Sequence, residues 1–407
     1  MITPADYTDD LATAEEFLAH LRPSGAHWRT FVRGKLRWVF RGQRDASWRL
    51  LPSAWRTDCT TREEIRLLSN ATYGVDTLGS MSCMLDCCSL TVPEAVADVH
   101  RQSNNELGML QEFIVHSNYA GLPFPHSSVD IRVQDFGWAA SFSEHIEDSY
   151  PGFEHRRSKI FDQVLQTQAI EIPEEVYREI PKEEHHHFRA LERSWPSVAN
   201  FTMRNSVAAL AQHHGVPTRL LDWSHDSRKA AFFAGSGLGE DALGEDKKIA
   251  VFAVNPFMLR NHTLSESELG EGEDDREAAE VLLSSHSLFV EKTDTTSYLA
   301  AQEGLFTCPE YADLFRILTG EYPTIDLGLE KMATWRAKHS EAGDHAPNIR
   351  DYIRRVTLPY SEVDQLMELL DDERIMLTTL MPNLDRFKQC MLERSRRKQR
   401  IASRQAT

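Results

Sequence analysis

The stretch 206–235 constrains the fold of this chain more than any other part of its sequence. It opens with SVAALAQHH, whose apolar residues recur at helical spacing, and Gly215 then follows as a residue type that commonly ends a helix. Pro217 forces the residue before it into extended backbone, and TRLLDW after it predicts a strand. A second helix, RKAAFFAG, is predicted with Ser224 as its cap and Asp226 in its first turn. The small alanines of that helix favour close packing on a sheet.

Further short apolar runs predict the other strands of that sheet. They are LRWVFRGQ at 36–43, IAVFAV at 249–254, SLFVEK at 287–292 and GLFTCP at 304–309. Few turn residues interrupt 61–118, which predicts a mainly helical region. These patterns together predict an α+β fold with large helical insertions.

The overall charge limits the partners that this chain can attract. Its 45 lysines and arginines are outnumbered by 62 aspartates and glutamates, which gives a net charge of −17 at pH 7. The protein as a whole therefore repels nucleic acid and anionic membranes, and a polyanion must meet a local basic patch. One such patch is RSRRKQRIASR at 394–404. A terminal charge run of this kind is usually solvated and disordered, and the alternative is a weak contact with RNA or with a partner.

The sequence carries no clear signal for secretion, a membrane or a metal. The N-terminus is polar and acidic, unlike a signal peptide, and there is no apolar run of about 18 residues. We therefore expect a cytoplasmic protein that makes no membrane contact. Four of the six cysteines fall between 59 and 88, but the adjacent pair Cys87 and Cys88 suits tetrahedral ligation poorly. No metal site is predicted.

The FRGQ segment at 40–43 supplies the first candidate site residues. Arg41 follows an apolar strand, where its planar guanidinium would bind a phosphate or carboxylate. The alternative is a structural arginine that pairs with a carboxylate such as Asp222. Gly42 would let a ligand approach the backbone.

The QHHGVPTRLLDW segment at 212–223 supplies a second group. His213 and His214 lie at a helix end, where the helix dipole favours a protonated imidazole. They are candidates for acid–base chemistry or substrate contact, and capping or core positions are the alternative. Arg219 and Asp222 are predicted to form a buried pair that fixes the loop, or else to take part in catalysis.

Aromatic and carboxylate candidates complete the set. Trp223 and Ser224 stand at a strand-to-helix junction and would offer a stacking wall and a hydroxyl to a ring-bearing ligand. Gln302 and Glu303, in AQEGLFT at 301–307, open a late strand. Glu303 is the candidate carboxylate, and a solvated glutamate at a strand edge is its alternative.

Several of these segments occur in the order found in a known family. FRGQ with Trp48, Leu50 and Pro52 is followed by LAQHHGVPTRLLDWS, AQEGLFT and LTTLMPNLD. The chain thereby resembles the FRG domain, a bacterial family named for its Phe-Arg-Gly triplet. The resemblance spans roughly 28–393, which leaves a helical N-terminal segment at 1–27 and a basic tail at 394–407. Within the domain, the helical region 59–135 is predicted to be an insertion.

The order of the candidate residues is also similar to that in ADP-ribosyltransferases. This more distant likeness implies a small mixed or antiparallel β core like that of an ADP-ribosyltransferase, with NAD as substrate. It implies that Arg41 holds the pyrophosphate and that Glu303 stabilises the ribose as the glycosidic bond breaks. Gln302 and His213 would assist the reaction. The nucleotide would be lined by Gly42, Gln43, His214, Arg219, Asp222, Trp223 and Ser224. Two departures are Asp-Trp-Ser in the second motif and Gly304 at the usual catalytic place in the third.

The expected function is transfer of ADP-ribose to a protein or nucleic-acid target, in a toxin or an antiphage effector. An antitoxin or regulatory protein is the partner that such a role implies. The main alternative is a non-catalytic module that binds a nucleotide or a partner. A third hypothesis is a hydrolase that uses His213 or His214 with Asp222, although no nucleophile-elbow sequence accompanies them.

Overall fold

The structure is a computed structural model of the 407-residue chain. It describes residues 2–22, 24–25, 28, 38–56, 206–238, 246–260, 304–309, 312–339, 348–380 and 387–405, together with individual residues within 102–119 and 277–289. No helix among the described residues is long and apolar enough to cross a membrane.

Seven strands are described: β1 (Thr8–Asp10), β2 (Val39–Gln43), β3 (Leu221–Ser224), β4 (Lys248–Val254), β5 (His286–Phe289), β6 (Gly304–Pro309) and β7 (Ile353–Pro359). The helices are α1 (Ala14–Leu21), α2 (Ser206–His213), α3 (Ser227–Gly235), α4 (Pro256–Arg260), α5 (Ala312–Thr319), α6 (Ile325–His339), α7 (Ile349–Tyr352), α8 (Val363–Asp372), α9 (Leu377–Leu380) and α10 (Phe387–Gln405). Short 3₁₀ helices cover Pro4–Tyr7, Ser53–Trp55 and Tyr360–Glu362.

The strands form one mixed sheet in the order β1-β7-β4-β2-β3-β6-β5. The β1–β7 pair is parallel, and the other pairs are antiparallel. Strand β4 pairs with β7 on one side and with β2 on the other. Its pairing with β7 extends from Lys248↔Pro359 to Val254↔Ile353. The predicted α+β class, with a mixed sheet, is confirmed.

Strand β4 is an interior strand of the sheet, and both of its faces are apolar. Ile249, Val251 and Ala253 belong to one hydrophobic cluster, and the alternate residues Ala250, Phe252 and Val254 belong to another. All six side chains are buried. This alternation follows from the two-residue period of a strand, and it predicts helices on both faces of the sheet.

Helices cover the two faces as that alternation requires. The first face packs against α1, α3 and α8, which contribute Phe17, Ala231 and Leu366, among others, to the first cluster. The second face packs chiefly against α6, whose Leu329 and Trp335 lie in the second cluster. A third cluster joins α2 to Leu220, which directly precedes β3, and to β6.

Most predicted elements of the central unit are confirmed, with corrections at the ends of helices. Gly215 ends α2 with a φ of 89°, a backbone conformation that glycine adopts readily. Ser224 was predicted to cap α3, but Asp226 is the N-cap and its carboxylate accepts from the backbone N–H of Arg228. The Ser224 hydroxyl instead accepts from the backbone N–H of Asp226 at 3.1 Å.

The basic C-terminal run differs from its predicted form. Residues 394–405 are part of α10 rather than a disordered tail. Three of its arginines form ion pairs with carboxylates of α8, which explains why the run is ordered. The insertion predicted at 59–135 lies largely outside the described residues, and those described between 102 and 119 are helical.

Candidate functional site

The sheet is weakly joined between β2 and β3. Here a single register pair, Phe40↔Ser224, connects the strands. On its other side β2 pairs with β4 along its whole length, from Val39↔Val254 to Gln43↔Ala250. The sheet therefore divides at this junction into β1-β7-β4-β2 and β3-β6-β5, and the side chain of Arg41 lies beside the division.

Arg41 spans this division through its guanidinium. Its Nη1 donates to the backbone oxygen of Asp222 at 2.8 Å and to the carboxylate Oδ1 at 2.6 Å. The Arg41 side chain is 11% exposed and that of Asp222 is 59% exposed. The alternative hypothesis for Arg41, a pair with Asp222, is thus confirmed. Nε of Arg41 is buried and has no hydrogen-bond partner in the described structure.

Asp222 is held as a carboxylate by its neighbours. Desolvation by surrounding protein atoms acts to raise its pKa, but the charge and hydrogen bond of Arg41 outweigh that effect. A further hydrogen bond from Nε2 of Gln212, 3.0 Å from Oδ1, acts in the same direction. The pKa of Asp222 is therefore lowered, and the carboxylate balances the charge of Arg41.

A chain of hydrogen bonds continues from Asp222 into the loop between α2 and β3. Gln212 accepts from the hydroxyl of Thr218, so its amide is fixed at both ends. The backbone N–H of Thr218 donates to Oγ of Ser53 at 3.1 Å, and its carbonyl accepts from Ala54 N–H at 3.2 Å. The loop before β3 is therefore joined to Ser53 and Ala54 as well as to the Arg41–Asp222 pair.

Gly42 serves helix packing rather than ligand approach. A Cβ added to this residue would lie 2.1 Å from the carbonyl oxygen of Ala230 and 2.6 Å from the backbone nitrogen of Ala234. The absence of a side chain lets α3 lie directly on β2. The prediction that Gly42 gives a ligand access to the backbone is therefore replaced by a packing role, and that space is filled by helix α3.

Trp223 lies in the core instead of lining an open surface. It is 3% exposed and belongs to the second hydrophobic cluster together with Leu221. Its Nε1 donates to Oγ1 of Thr307 on β6 at 2.9 Å. Strand alternation explains the placement, since Trp223 shares a face with Leu221 while Asp222 points the other way. This burial does not support the predicted stacking role of Trp223.

Arg219 pairs with Glu106 and not, as predicted, with Asp222. Nε of Arg219 donates to Oε2 of Glu106 at 2.7 Å, and both side chains are fully buried. Nε1 of Trp55 donates to the other carboxylate oxygen at 2.9 Å. The guanidinium carbon also lies 5.4 Å from the ring centroid of Trp55. Arg219 therefore anchors the loop to the helical region around residue 106.

The remaining predicted residues lie apart or outside the described chain. His213 is partly exposed and His214 is exposed, with their rings nearly perpendicular at 85°. Gln43 is buried, and its Nε2 donates weakly, at 3.4 Å, to the carbonyl of Arg49. Gln302 and Glu303 lie outside the described residues.

Sequence reasoning missed four residues that shape this site: Ser53, Glu106, Gln212 and Thr218. Gln212 and Thr218 lie in the QHHGVPTRLLDW segment, which the sequence had already indicated, but no role was predicted for either of them. No local signal identifies Glu106, because it lies 113 residues from its partner in sequence.

The chemistry that the described residues offer is anion binding at one guanidinium edge. The buried Nε of Arg41 is a donor without an acceptor, whereas the packed surroundings of Gly42 and Trp223 do not provide a pocket for a nicotinamide ring. No group of three or more metal-ligating side chains occurs in the part of the chain that the structure describes.

Comparison with known proteins identifies one family. Residues 156–241 match the family model described as the FRG domain, so the resemblance drawn from sequence is confirmed over this stretch. Its described part contains α2, β3, α3 and the Asp222 side of the site. No curated protein and no solved structure matches the chain.

Proposed function

We propose that this FRG-domain protein binds the pyrophosphate of NAD at Arg41 and transfers ADP-ribose to a macromolecular target. The supporting observation is the state of the Arg41 guanidinium. One edge is fixed by Asp222, and Nε is buried without a partner at the division of the sheet. A buried donor without an acceptor costs about 1–3 kcal/mol, and a phosphate oxygen would remove that cost.

The reaction would proceed by displacement at the ribose C1′. The bond between C1′ and the nicotinamide nitrogen breaks and its electron pair leaves with nicotinamide, while a nucleophile of the target bonds to C1′ and loses a proton. Glu303 is the proposed carboxylate for the positive charge on the ribose. In sequence it directly precedes Gly304, whose Cα pairs with that of Ser224 on β3.

Roles as a toxin or antiphage effector, and regulation by an antitoxin, are proposals that rest on the family resemblance. The target, protein or nucleic acid, is likewise proposed on the reaction class alone.

A second candidate is a module that binds a nucleotide or a partner without catalysis. It is favoured because residues expected to line the NAD site have structural roles in the fold. Gly42 accommodates α3, Trp223 lies in the core, and Asp222 already neutralises Arg41. In this case Arg41 would hold an anion, and the glycosidic bond of NAD would stay intact.

Incubation with NAD labelled on the adenylate, in the presence of cell extract, distinguishes the two functions. We expect the wild-type protein to release nicotinamide and transfer label, and we expect Arg41→Gln to lose both activities. Arg350→Gln is the matched control, because Arg350 also pairs with a carboxylate, Asp9, but lies at the β1 edge of the sheet.

Glu303→Gln separates chemistry from binding. Transfer should fall at least about 100-fold while NAD affinity changes little, as expected for a group that acts on the transition state. Saturable NAD binding that depends on Arg41, without nicotinamide release, would support the non-catalytic module. Absence of both NAD binding and nicotinamide release in folded protein would refute the transferase and would exclude NAD as the ligand of a non-catalytic module.

A further inference from the structure

Helix α10 lies against α8 through a series of ion pairs. Nε of Arg397 donates to Oε1 of Glu368 at 2.7 Å, and its Nη2 pairs with Asp371. Nη2 and Nε of Arg400 donate to the two carboxylate oxygens of Asp364 at 2.7 and 3.0 Å. These contacts place basic residues of one helix along acidic residues of the other.

The spacing of these residues produces an antiparallel charge zipper. Asp364, Glu368 and Asp371 are four and three residues apart, so they share one face of α8, here called the acidic stripe. Their partners, Arg400, Arg397 and Arg394, are three residues apart and also share a face. Arg394 completes the series with Nε 3.5 Å from Asp371.

The α10 side chains whose burial is described contribute little apolar packing to this contact. No described residue of α10 belongs to a hydrophobic cluster, and Arg397 is its only buried residue among those whose burial is described. By contrast, α8 buries Leu366 and Leu370 in the first cluster. The contact between α8 and α10 therefore depends on charge, which salt and competing polyanions weaken.

One member of the acidic stripe is in an unfavourable environment. Burial raises the pKa of Asp371, and the charge of Glu368 adds to that shift. Arg397 and Arg394 oppose the shift without cancelling it. The zipper therefore includes a carboxylate whose ionisation the surroundings disfavour.

The outward face of α10 is also basic. Lys388, Arg396 and Lys398 are exposed, and the 19-residue helix contains one acidic residue, Glu393. In a chain of net charge −17, this concentration of positive charge is local. A polyanion repelled by the rest of the surface would meet it here.

We propose that α10 is a nucleic-acid-binding arm whose arginines exchange the acidic stripe of α8 for the phosphates of a nucleic acid. Arg394, Arg397 and Arg400 leave their carboxylates, and the outward basic residues contact phosphates together with them. The proposal concerns α10 and α8 alone, and does not depend on NAD binding at Arg41.

A nucleic acid fits this helix better than an anionic membrane does. A helix that lies in a membrane surface needs a continuous apolar face. The exposed large apolar residues described on α10 are the neighbours Met391 and Leu392, near one end. The helix residues after them are polar or charged except for Ile401 and Ala402. Repeated guanidinium groups, in contrast, match the repeated phosphates of a polynucleotide.

The salt dependence of binding tests the exchange without any variant. Binding of a short labelled duplex DNA is followed by fluorescence anisotropy from about 50 to 200 mM salt. If only the three outward basic residues contact phosphates, log K should fall against log salt with a slope of about −2.7. If the three arginines of the zipper also transfer to the DNA, we expect a slope of about −5.4.

Two variants with matched changes of charge provide the second test. Neutralising the stripe with Asp364→Asn, Glu368→Gln and Asp371→Asn should strengthen DNA binding at least about fivefold, because the arginines no longer have a competitor. Neutralising Glu16, Glu321 and Asp372, with Glu16→Gln, Glu321→Gln and Asp372→Asn, makes the same change in net charge outside the stripe. This control should change affinity less than about twofold.

Three results would overturn the proposal. A slope near −2.7 together with equal effects of the two triple variants would show a static basic surface. Binding to vesicles that contain phosphatidylserine but not to DNA or single-stranded RNA would assign the helix to a membrane. If folded protein, checked by circular dichroism, bound neither DNA nor single-stranded RNA, α10 would be a structural helix only.

Discussion

Arg219, in the QHHGVPTRLLDW segment at 212–223, shows how a single residue stabilises the fold. Its guanidinium is fully buried, and the carboxylate of Glu106 balances its charge at 2.7 Å. Trp55 and Gln102 donate the other hydrogen bonds to that carboxylate, each at 2.9 Å. Three separate segments of the chain thus meet at Glu106.

Replacing Glu106 should strongly destabilise the folded protein. Glu106→Gln leaves a buried arginine without a counter-charge, and we expect a loss of about 3–5 kcal/mol in the free energy of unfolding. Urea denaturation followed by circular dichroism measures it. The double variant Glu106→Leu, Arg219→Met should recover most of the loss, because it removes both buried charges. Equal stability of Glu106→Gln and wild type would contradict the structural role.

Asp222 should add stability that depends on pH. Its folded pKa is depressed, mainly by Arg41 acting against desolvation, so ionised Asp222 stabilises the fold at pH values above its ordinary pKa of 3.8. That contribution is lost as the pH falls through the lower folded value. The difference in stability between wild type and Asp222→Asn should therefore be constant near neutral pH and shrink below about pH 4. Its size should be modest because the side chain is 59% exposed.

Chemical denaturation at a series of pH values from 7 to about 3 would measure this difference. Asp372→Asn, a change at an exposed aspartate, is the control for general charge effects. A gap that stays the same throughout the acid range would exclude the proposed coupling between Asp222 and Arg41.

At the scale of elements, the contact of α3 with β2 depends on Gly42. The backbone of α3 occupies the position that a Cβ would need, and the neighbouring atoms belong to the main chain rather than to a flexible side chain. The small residues Ala230 and Ala234 on the helix face make the same close approach possible from the other side. The Phe-Arg-Gly triplet is therefore explained here by packing as well as by Arg41.

Gly42→Ala should force α3 away from the sheet. We expect it to lower the free energy of unfolding by about 3 kcal/mol or more, as overpacking of a close backbone contact does. Gly320→Ala is a matched control, because Gly320 has a φ of 83° but no atom near the added Cβ. Its cost should be about 1–2 kcal/mol, from backbone strain alone. Thermal unfolding of both variants would compare them, and equal costs would refute the packing explanation.

At the scale of the whole molecule, patterns of apolar residues predict much of the fold. The helix–strand–helix unit at 206–235 and strands β2, β4 and β6 follow from local periodicity and from Gly215 and Pro217. The contacts of the candidate site residues were harder to predict, because pairing of charges is decided by tertiary structure. Local sequence offered Asp222 as a partner for Arg219, but folding brings Glu106 to it instead.

The order of α10 was missed for the same reason. Its sequence alone is a run of like charges, and such runs repel themselves in isolation. Only the acidic stripe on α8 explains the helix, and that stripe lies outside the run itself. Burial of Trp223, in contrast, follows from strand alternation and was open to prediction from the sequence.

The division of the sheet between β2 and β3 predicts which strands unfold locally in the native state. The β4–β7 pair is continuous from Lys248↔Pro359 to Val254↔Ile353, whereas β2 and β3 meet at one register pair. Native-state hydrogen exchange should therefore show the amides of β4 and β7 exchanging only by global unfolding. Amides of β3 and β6 should exchange through a smaller opening, with lower free energy and weaker dependence on denaturant.

The ion pair of Arg41 should affect how readily β3 and β6 separate from the rest of the sheet. Its ion pair with Asp222 crosses the division, so Arg41→Gln should accelerate exchange of β3 and β6 amides while leaving β4 and β7 unchanged. Arg350→Gln removes a pair at the β1 edge and should not accelerate exchange in β3. If all strands exchanged with one free energy in every variant, the sheet would be a single cooperative unit and the division would have no energetic consequence. If the prediction holds, an anion bound at Arg41 would act where the two parts of the sheet join, and its binding would slow exchange in β3.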